Sequence, residues 1–405
     1  MWPSFLILGL LALLPLGRSA EAPLAIAAIA GLIFAWRERS QLRTNAGVRL
    51  ASVLFACYWL AALFSAAGAV APEKSWSTAG VLLRFFPFVL FAAMALRDAA
   101  TWSRLIAGAA AIVVLWLLDA WVQILTGYSL AGPMEAERLS GIFGAQNLKL
   151  GPVLAVLSPF VFVAARARWG WRGLAVAFVF QLMPILLAGS RAAWLTYALV
   201  TFAFVWRETR VPSRFMIWSA AATAVAALAI AVAWQGSTAF DARLDRSLLA
   251  LQGSESALDA AAAGRLRIWG TASRMIQAHP LFGVGVRGFR YAYPTFAKPG
   301  DAFVDAKTDE GAAHAHQIVL EVLSETGAVG LTLWMIGAGF AIRAWRRAGN
   351  LARERALAPS LALAAMCFPL NTHLAFYSAS AWGLLFWWLL ALYCAALFAQ
   401  DRHDA

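Results

Sequence analysis

Charge is scarce in this chain. Lys, Arg, Asp and Glu make up 13% of its 405 residues, against about 25% in soluble proteins, while 62% of the residues are hydrophobic. So few charged groups cannot cover so much apolar surface, which excludes a water-soluble globule. Cysteine is nearly absent: Cys57, Cys367 and Cys394 lie far apart inside apolar runs, without metal-ligand spacing. A disulfide framework and a zinc site are thereby excluded, and the three read as small buried hydrophobes. The sequence also lacks a Walker motif, a D-x-D metal–nucleotide motif and a nucleophilic-serine elbow. Nucleotide-driven and acyl-enzyme chemistry are therefore not expected.

Apolar runs are what the chain does have. They fall at roughly 3–17, 22–36, 50–70, 76–96, 104–126, 150–165, 173–188, 192–206, 215–234, 317–342, 356–372 and 379–399. About twelve spans of about 20 residues take up roughly 240 residues and leave short loops plus one larger excursion. The pattern predicts an all-α, polytopic integral membrane protein with about 12 transmembrane helices and one large outer loop that itself contains helices. The segments between runs alternate in charge. Those at 37–49, 97–104, 166–172, 207–214 and 343–355, with the tail, hold more than half of the 33 positive residues. By the positive-inside rule this set is cytoplasmic, as are both termini. The net charge of +12 then suits anionic headgroups rather than nucleic acid.

The first run ends in small residues, Ala20 and Ala22, in the manner of a signal-peptide cleavage site. It has no Lys or Arg ahead of it, however, and its removal would break the charge alternation. A retained, short first span is expected. The chain divides into 1–234 (nine helices and short loops), 235–316 (the large outer loop) and 317–405 (three helices and a cytoplasmic tail). The loop reads as an amphipathic helix (FDARLDRSLLALQ), an Ala-rich turn, a second helix (GRLRIWGTASRMIQA) and a glycine- and aromatic-rich stretch. A second outer loop spans 127–149.

Candidate functional residues gather in these two loops. Arg191 stands in GSRAAW between two runs, on the side where Arg has no orienting role. Snorkelling is its bland reading; bidentate phosphate binding is the sharper one. Arg265 begins a helix after a glycine, where free N–H groups also favour an anion. Arg267 and Arg274 read as a solvated, membrane-attracted helix face. HPLFGVGVRGF contains a literal G-x-G-x-x-G, but no β-α-β unit surrounds it, so its glycines are expected to make tight turns. His279 before Pro280 is expected to end a helix. His314 and His316, two of only five histidines, lie with Glu321 and Glu325 at the entry to a span, where ionisable groups are costly and tend to be functional. Two histidines at i and i+2 do not converge on a regular helix, so a metal pair is not expected and a general base is. Arg84 and Asp119 fall within apolar runs and could pair or line a cavity. Asn147 and Lys149 could add donors.

The chain resembles the bacterial O-antigen ligase family, within a superfamily that also holds O-antigen polymerases and pilin O-oligosaccharyltransferases. His316-Gln317, nine residues, Gly327, two residues and Gly330 are similar to the ligase pattern of His, then Asn, Ser or Gln, nine residues, Gly, two residues and Gly. RLSGIFGAQN (from Arg138), GSRAAW, GRLRIW and HPLFGVG resemble further family blocks, in the family's order. The resemblance implies transfer of O-antigen polysaccharide from undecaprenyl diphosphate to a sugar hydroxyl of lipid A–core, at the periplasmic face of the bacterial inner membrane. It implies His316 as base and Arg191 and Arg265 as diphosphate ligands, with His314, Gln317 and Arg138 as supporting neighbours. The transfer would be inverting and would need no metal or other cofactor, since Arg takes the cation's part. An O-antigen polymerase uses the same donor and is the nearest alternative; a membrane transporter is the alternative of a different class.

Overall fold

The computed structural model describes residues 2–40, 42–134, 138–145, 147, 149–371 and 375–399, less the side chains of 238, 239, 243, 250, 252, 255 and 256. The tail beyond residue 399 and Gln146 of the RLSGIFGAQN block lie outside the described residues. The amino-terminal part comprises α1 (Trp2–Leu13), α2 (Glu21–Arg37), α3 (Ala46–Ala66), α4 (Pro72–Leu82), α5 (Phe85–Ala95) and α6 (Ala100–Thr126). A two-residue antiparallel pair, Tyr128–Ser129 with Gly132–Pro133, turns the chain towards α7 (Leu150–Leu187), α8 (Arg191–Thr209) and α9 (Pro212–Gly236). The long loop supplies α10 (Thr238–Leu248), α11 (Glu255–Ala261), α12 (Arg265–Ala278) and α13 (Phe289–Phe296). The chain then closes with α14 (Ile318–Arg347), α15 (Asn350–Met366) and α16 (Ala381–Phe398). Helices dominate because in lipid every backbone N–H and C=O must be satisfied within its own segment.

The protein is an all-α polytopic membrane protein. By length and composition, seven helices among the described residues are apolar enough to cross a membrane, with α4 and α5 taken together as one span broken at Arg84. Each of the twelve apolar runs is mostly helix among its described residues, but they do not map one to one. Runs 150–165 and 173–188 are the two arms of α7, whose 38 residues break at Gly170 (φ 61°). The runs in α1, α2, α8 and α15 form helices of 12, 17, 19 and 17 residues, too short or too polar to qualify on their own. The Ala-rich turn of the long loop is the short helix α11.

At the centre stands α16, buried almost throughout from Trp382 to Leu397. The Trp387 ring packs among Phe55, Tyr58, Phe85 and Phe386, with ring centroids 5.0–5.8 Å away. Trp388 donates its indole N–H to the Ile7 carbonyl at 2.8 Å, and Ile7, Leu10 and Leu11 are buried. The first apolar run is thus built into the bundle. By contrast α9 buries only Ala233 and presents its apolar length outward, as suits a helix facing lipid. Cys57 and Cys394 are buried, while Cys367 is half-buried at the edge of a cavity.

Ion pairs gather the basic loops at one end: Arg97–Glu38 at 2.7 Å, Arg166–Glu208 at 2.8 Å, and Arg207 with Glu208 and Glu354. α8 and α14 both run towards that end, so their first residues, Arg191 and Ile318, lie at the opposite one. There the long loop has a small core of its own, in which Ile268, Ala272 and Met275 of α12 meet Phe289, Ala292, Tyr293 and Ala315.

Candidate active site

Three arginines converge at the end opposite the basic loops. Gln123 of α6 accepts the backbone N–H groups of Ser140 (3.0 Å) and Gly141 (2.8 Å), and Leu139 N–H reaches the Leu187 carbonyl at 3.3 Å. Arg138 is thereby pinned beside the turn between α7 and α8. In that turn Ser190 caps α8 by accepting Ala193 N–H at 3.2 Å, which sets Arg191 at the first helical position. A guanidinium N–H of Arg191 donates to Ser247 Oγ of α10 at 3.1 Å. Arg265 opens α12 after Gly264, which takes the left-handed conformation (φ 78°). Burial lowers the pKa of Arg265, and the positive charges of Arg191 and Arg138 add to the shift. Arg246 and Arg138 likewise repel Arg191. Asp259, the acid nearest in sequence, is committed elsewhere: it accepts Leu266 N–H at 3.1 Å and pairs with Arg267 at 2.7 Å. Like charges assembled in a partly desolvated place raise the free energy of the empty site, and a polyanion relieves that cost.

Arg265 leads by one helical turn, about 6 Å of rise, to Trp269. Trp269 Nε1–H donates to the carbonyl of Ala315 at 3.0 Å, and Ala315 lies between the two histidines. Residues 314–316 are not helical, so the expected divergence at i and i+2 does not apply: the rings of His314 and His316 lie 4.0 Å apart between centroids. His316 itself is left-handed (φ 53°), a conformation uncommon outside glycine that is found at functional sites and costs on the order of 1–3 kcal/mol. Gln317 then turns away from the rings. Its side chain accepts Leu320 N–H at 2.6 Å and caps α14. That gives the second position of the His-(Asn/Ser/Gln) pattern a physical meaning, because Asn and Ser are preferred N-cap residues. Gln317 thereby fixes the start of α14 directly after His316.

Gly327 and Gly330 complete the pattern. At Gly327 α14 breaks (φ 65°), and a Cβ there would lie 2.2 Å from the Leu281 carbonyl oxygen. The HPLFGVG segment fills the break: Ala328 N–H donates to Pro280 O (2.8 Å), Val329 N–H to Leu281 O (3.1 Å) and Val284 N–H to Ser324 O (2.8 Å). At Gly330 an added Cβ would instead meet the Thr326 side chain one turn earlier in α14, while Ala61 of α3 lies at an ordinary 3.6 Å. The same segment reaches the α3–α4 junction, where Ser75 donates to Val286 O at 2.9 Å and Val286 N–H donates to Ser65 at 3.1 Å. The G-x-G-x-x-G glycines therefore serve close backbone packing.

Residues 176–335 match the family model for O-antigen ligase. The matched stretch supports an O-antigen ligase/polymerase superfamily member. No curated protein matches the chain. The O-antigen ligase match contains Arg191, Arg265, His314, His316, Gln317, Gly327 and Gly330, and it leaves Arg138 outside. Membership supports a transferase acting in polysaccharide assembly.

Other candidates fall away from this cluster. Arg84 pairs with Glu21 at 2.6 Å and also donates to the Ala379 carbonyl. Asp119 accepts Leu130 N–H at 2.7 Å. The two do not pair with each other. Lys149 N–H donates to the Asn147 carbonyl at 2.7 Å, shaping the turn into α7, and burial lowers the Lys149 ammonium. Arg274 anchors to Phe296 O (2.6 Å) and Thr271 Oγ1 (2.9 Å), so it braces the loop and is not a solvated face. His279 ends α12 as expected, its N–H donating to Met275 O at 2.9 Å. The fully buried Glu325 and Glu321 serve the backbone: Glu325 accepts Arg287 N–H (2.8 Å), and Glu321 accepts Phe376 N–H (2.7 Å). Arg287, left-handed (φ 59°) and beside these acids, was not singled out by sequence, where it reads as one more loop arginine. A cavity of about 510 Å³, almost wholly apolar, lies among α3, α14, α15 and α16 and includes neither the arginines nor the histidines of the candidate site.

Proposed function

We propose that the chain is an O-antigen ligase: it transfers polysaccharide from undecaprenyl diphosphate to a sugar hydroxyl of lipid A–core, on the periplasmic side of the inner membrane. The observation that carries this reading is the mutual approach of Arg191, Arg265 and Arg138, with Arg265 linked through Trp269 to the segment holding His316. A lipid-borne diphosphate needs cationic groups at a membrane surface, and guanidinium forks match its oxygens bidentately. A free imidazole has a pKa of about 6.5, so it cannot strip a sugar hydroxyl outright. The His316 ring takes the proton as the hydroxyl oxygen bonds to the anomeric carbon. The bond from that carbon to the diphosphate oxygen breaks at the same time, and the carbon inverts. Such a base contributes roughly 10²–10⁴-fold. Oriented positive charge on the departing diphosphate is the larger contribution. Arginine supplies that charge here, and a metal is not called upon.

A reconstituted assay tests this. Purified protein is given undecaprenyl diphosphate-linked polysaccharide with either lipid A–core or a second lipid-linked repeat, with and without a chelator. Transfer to lipid A–core that persists in chelator is expected. Elongation of the lipid-linked glycan alone would make the protein a polymerase, and no transfer between lipids in detergent would return it to the transporter reading.

A further inference from the structure

We propose that the basic end of the bundle carries a binding site for an anionic phospholipid, built from Arg49, Arg343 and Arg347. These residues line a hollow of about 390 Å³ between the start of α3 and the end of α14. Arg343 and Arg347 are one turn apart on α14 and so share a face; Arg49 comes from α3 across the hollow. No acidic residue lines it among the described residues. Among the described residues, three acids at this end are engaged with other arginines, Glu38 with Arg97, Glu208 with Arg166 and Arg207, and Glu354 with Arg207, and Asp98 accepts Ala100 N–H at 2.9 Å. Ala46, the first residue of α3, also lines the hollow, which brings the positive end of that helix's dipole to the same place. The negative end of α14 is partly answered by Arg353, which donates to the carbonyls of Trp345 (3.0 Å) and Arg346 (2.5 Å).

The remaining walls select a lipid over a free anion. Leu50, Val53, Phe340 and Phe398 form an apolar side continuous with three membrane-spanning helices, α3, α14 and α16. Phe340 and Phe398 are 45% and 37% exposed, so they offer acyl chains an apolar surface in the same hollow as the guanidinium groups. A phosphodiester with two acyl tails satisfies both halves; inorganic phosphate satisfies one. Basic pockets between membrane helices are a known form of headgroup recognition. Arginines that only orient a helix have no need to converge from two helices on one concavity. The site is independent of the proposed transferase reading, because α14 separates it from His316 by its whole length.

Native mass spectrometry on the full chain tests the proposal, using phosphatidylglycerol and phosphatidylethanolamine of identical acyl chains. The wild type should retain one phosphatidylglycerol at least tenfold more tightly than phosphatidylethanolamine. Each basic residue near a membrane surface is worth roughly fivefold, so Arg49→Gln/Arg343→Gln/Arg347→Gln should abolish the preference. Single Arg343→Gln and Arg347→Gln variants should each weaken it severalfold, which covers loss of folding in the triple variant. Arg39→Gln/Arg168→Gln, a loss of charge elsewhere at the same end, should leave it intact. Equal retention of the two lipids, an equal loss in the control variant, or protection against thermal unfolding by inorganic phosphate matching that by phosphatidylglycerol would each overturn it.

Discussion

Trp269 sits where the two halves of the proposed chemistry meet. Its indole N–H holds the Ala315 carbonyl, and through it the backbone carrying the left-handed His316, one turn from Arg265. A neutral hydrogen bond of this kind contributes only about 0.5–1.5 kcal/mol to stability, yet misplacing a reacting group by about 1 Å can cost around 10²-fold in rate. Trp269→Phe should therefore leave the fold and donor affinity near wild type while lowering turnover by roughly ten- to hundredfold. Turnover and donor Kd measured side by side check this; a fall in affinity with turnover unchanged would contradict the positioning role. At this scale much was legible in the sequence. An Arg on the side where Arg has no orienting duty, an Arg after a helix-opening glycine, and two clustered histidines are visible as residue types. Capping by Gln317 and the service of Glu321 and Glu325 to the backbone were not, because hydrogen-bond direction is a property of geometry. The ring contact between His314 and His316 was hidden for a related reason: it depends on the segment not being helical.

At the scale of elements, the break in α14 organises the site. It lets the 280–285 segment add its backbone to the helix, and that segment also docks on the α3–α4 junction, so the long loop is tied to two spans at once. Gly327→Ala should be costly. The added Cβ would meet Leu281 O at 2.2 Å in a backbone region alanine avoids, at a combined expense of about 2–4 kcal/mol. Gly339→Ala, in the same helix with nothing within 4 Å, should be neutral or stabilising. Thermal unfolding of the two variants in one detergent decides the matter, and equal shifts would show that the break is not required. Hydropathy read the apolar runs as helices because the bilayer imposes their composition. It anticipated the short first span but could not say that two runs share α7, since helix breaks follow from packing against neighbours as well as from apolar content.

The molecule as a whole is polarised. One end holds the basic loops in ion pairs and a lipid-sized hollow; the other gathers arginines around histidine-bearing backbone. The charge alternation of the loops anticipated this polarity, whereas the distance between guanidinium and imidazole groups in three dimensions was not written in any one segment. The most direct test of the central claim separates gripping the diphosphate from activating the alcohol. Donor-lipid affinity and single-turnover transfer would be measured in parallel for wild type, His316→Ala, Arg191→Ala and Arg265→Ala. Loss of a charge-assisted contact worth about 1.5–3 kcal/mol should weaken donor binding roughly ten- to hundredfold in each arginine variant, with transfer falling further. His316→Ala should bind donor as wild type does and lose transfer by about 10²–10⁴-fold. Wild-type transfer by His316→Ala, or unchanged donor affinity in both arginine variants, would contradict the claim.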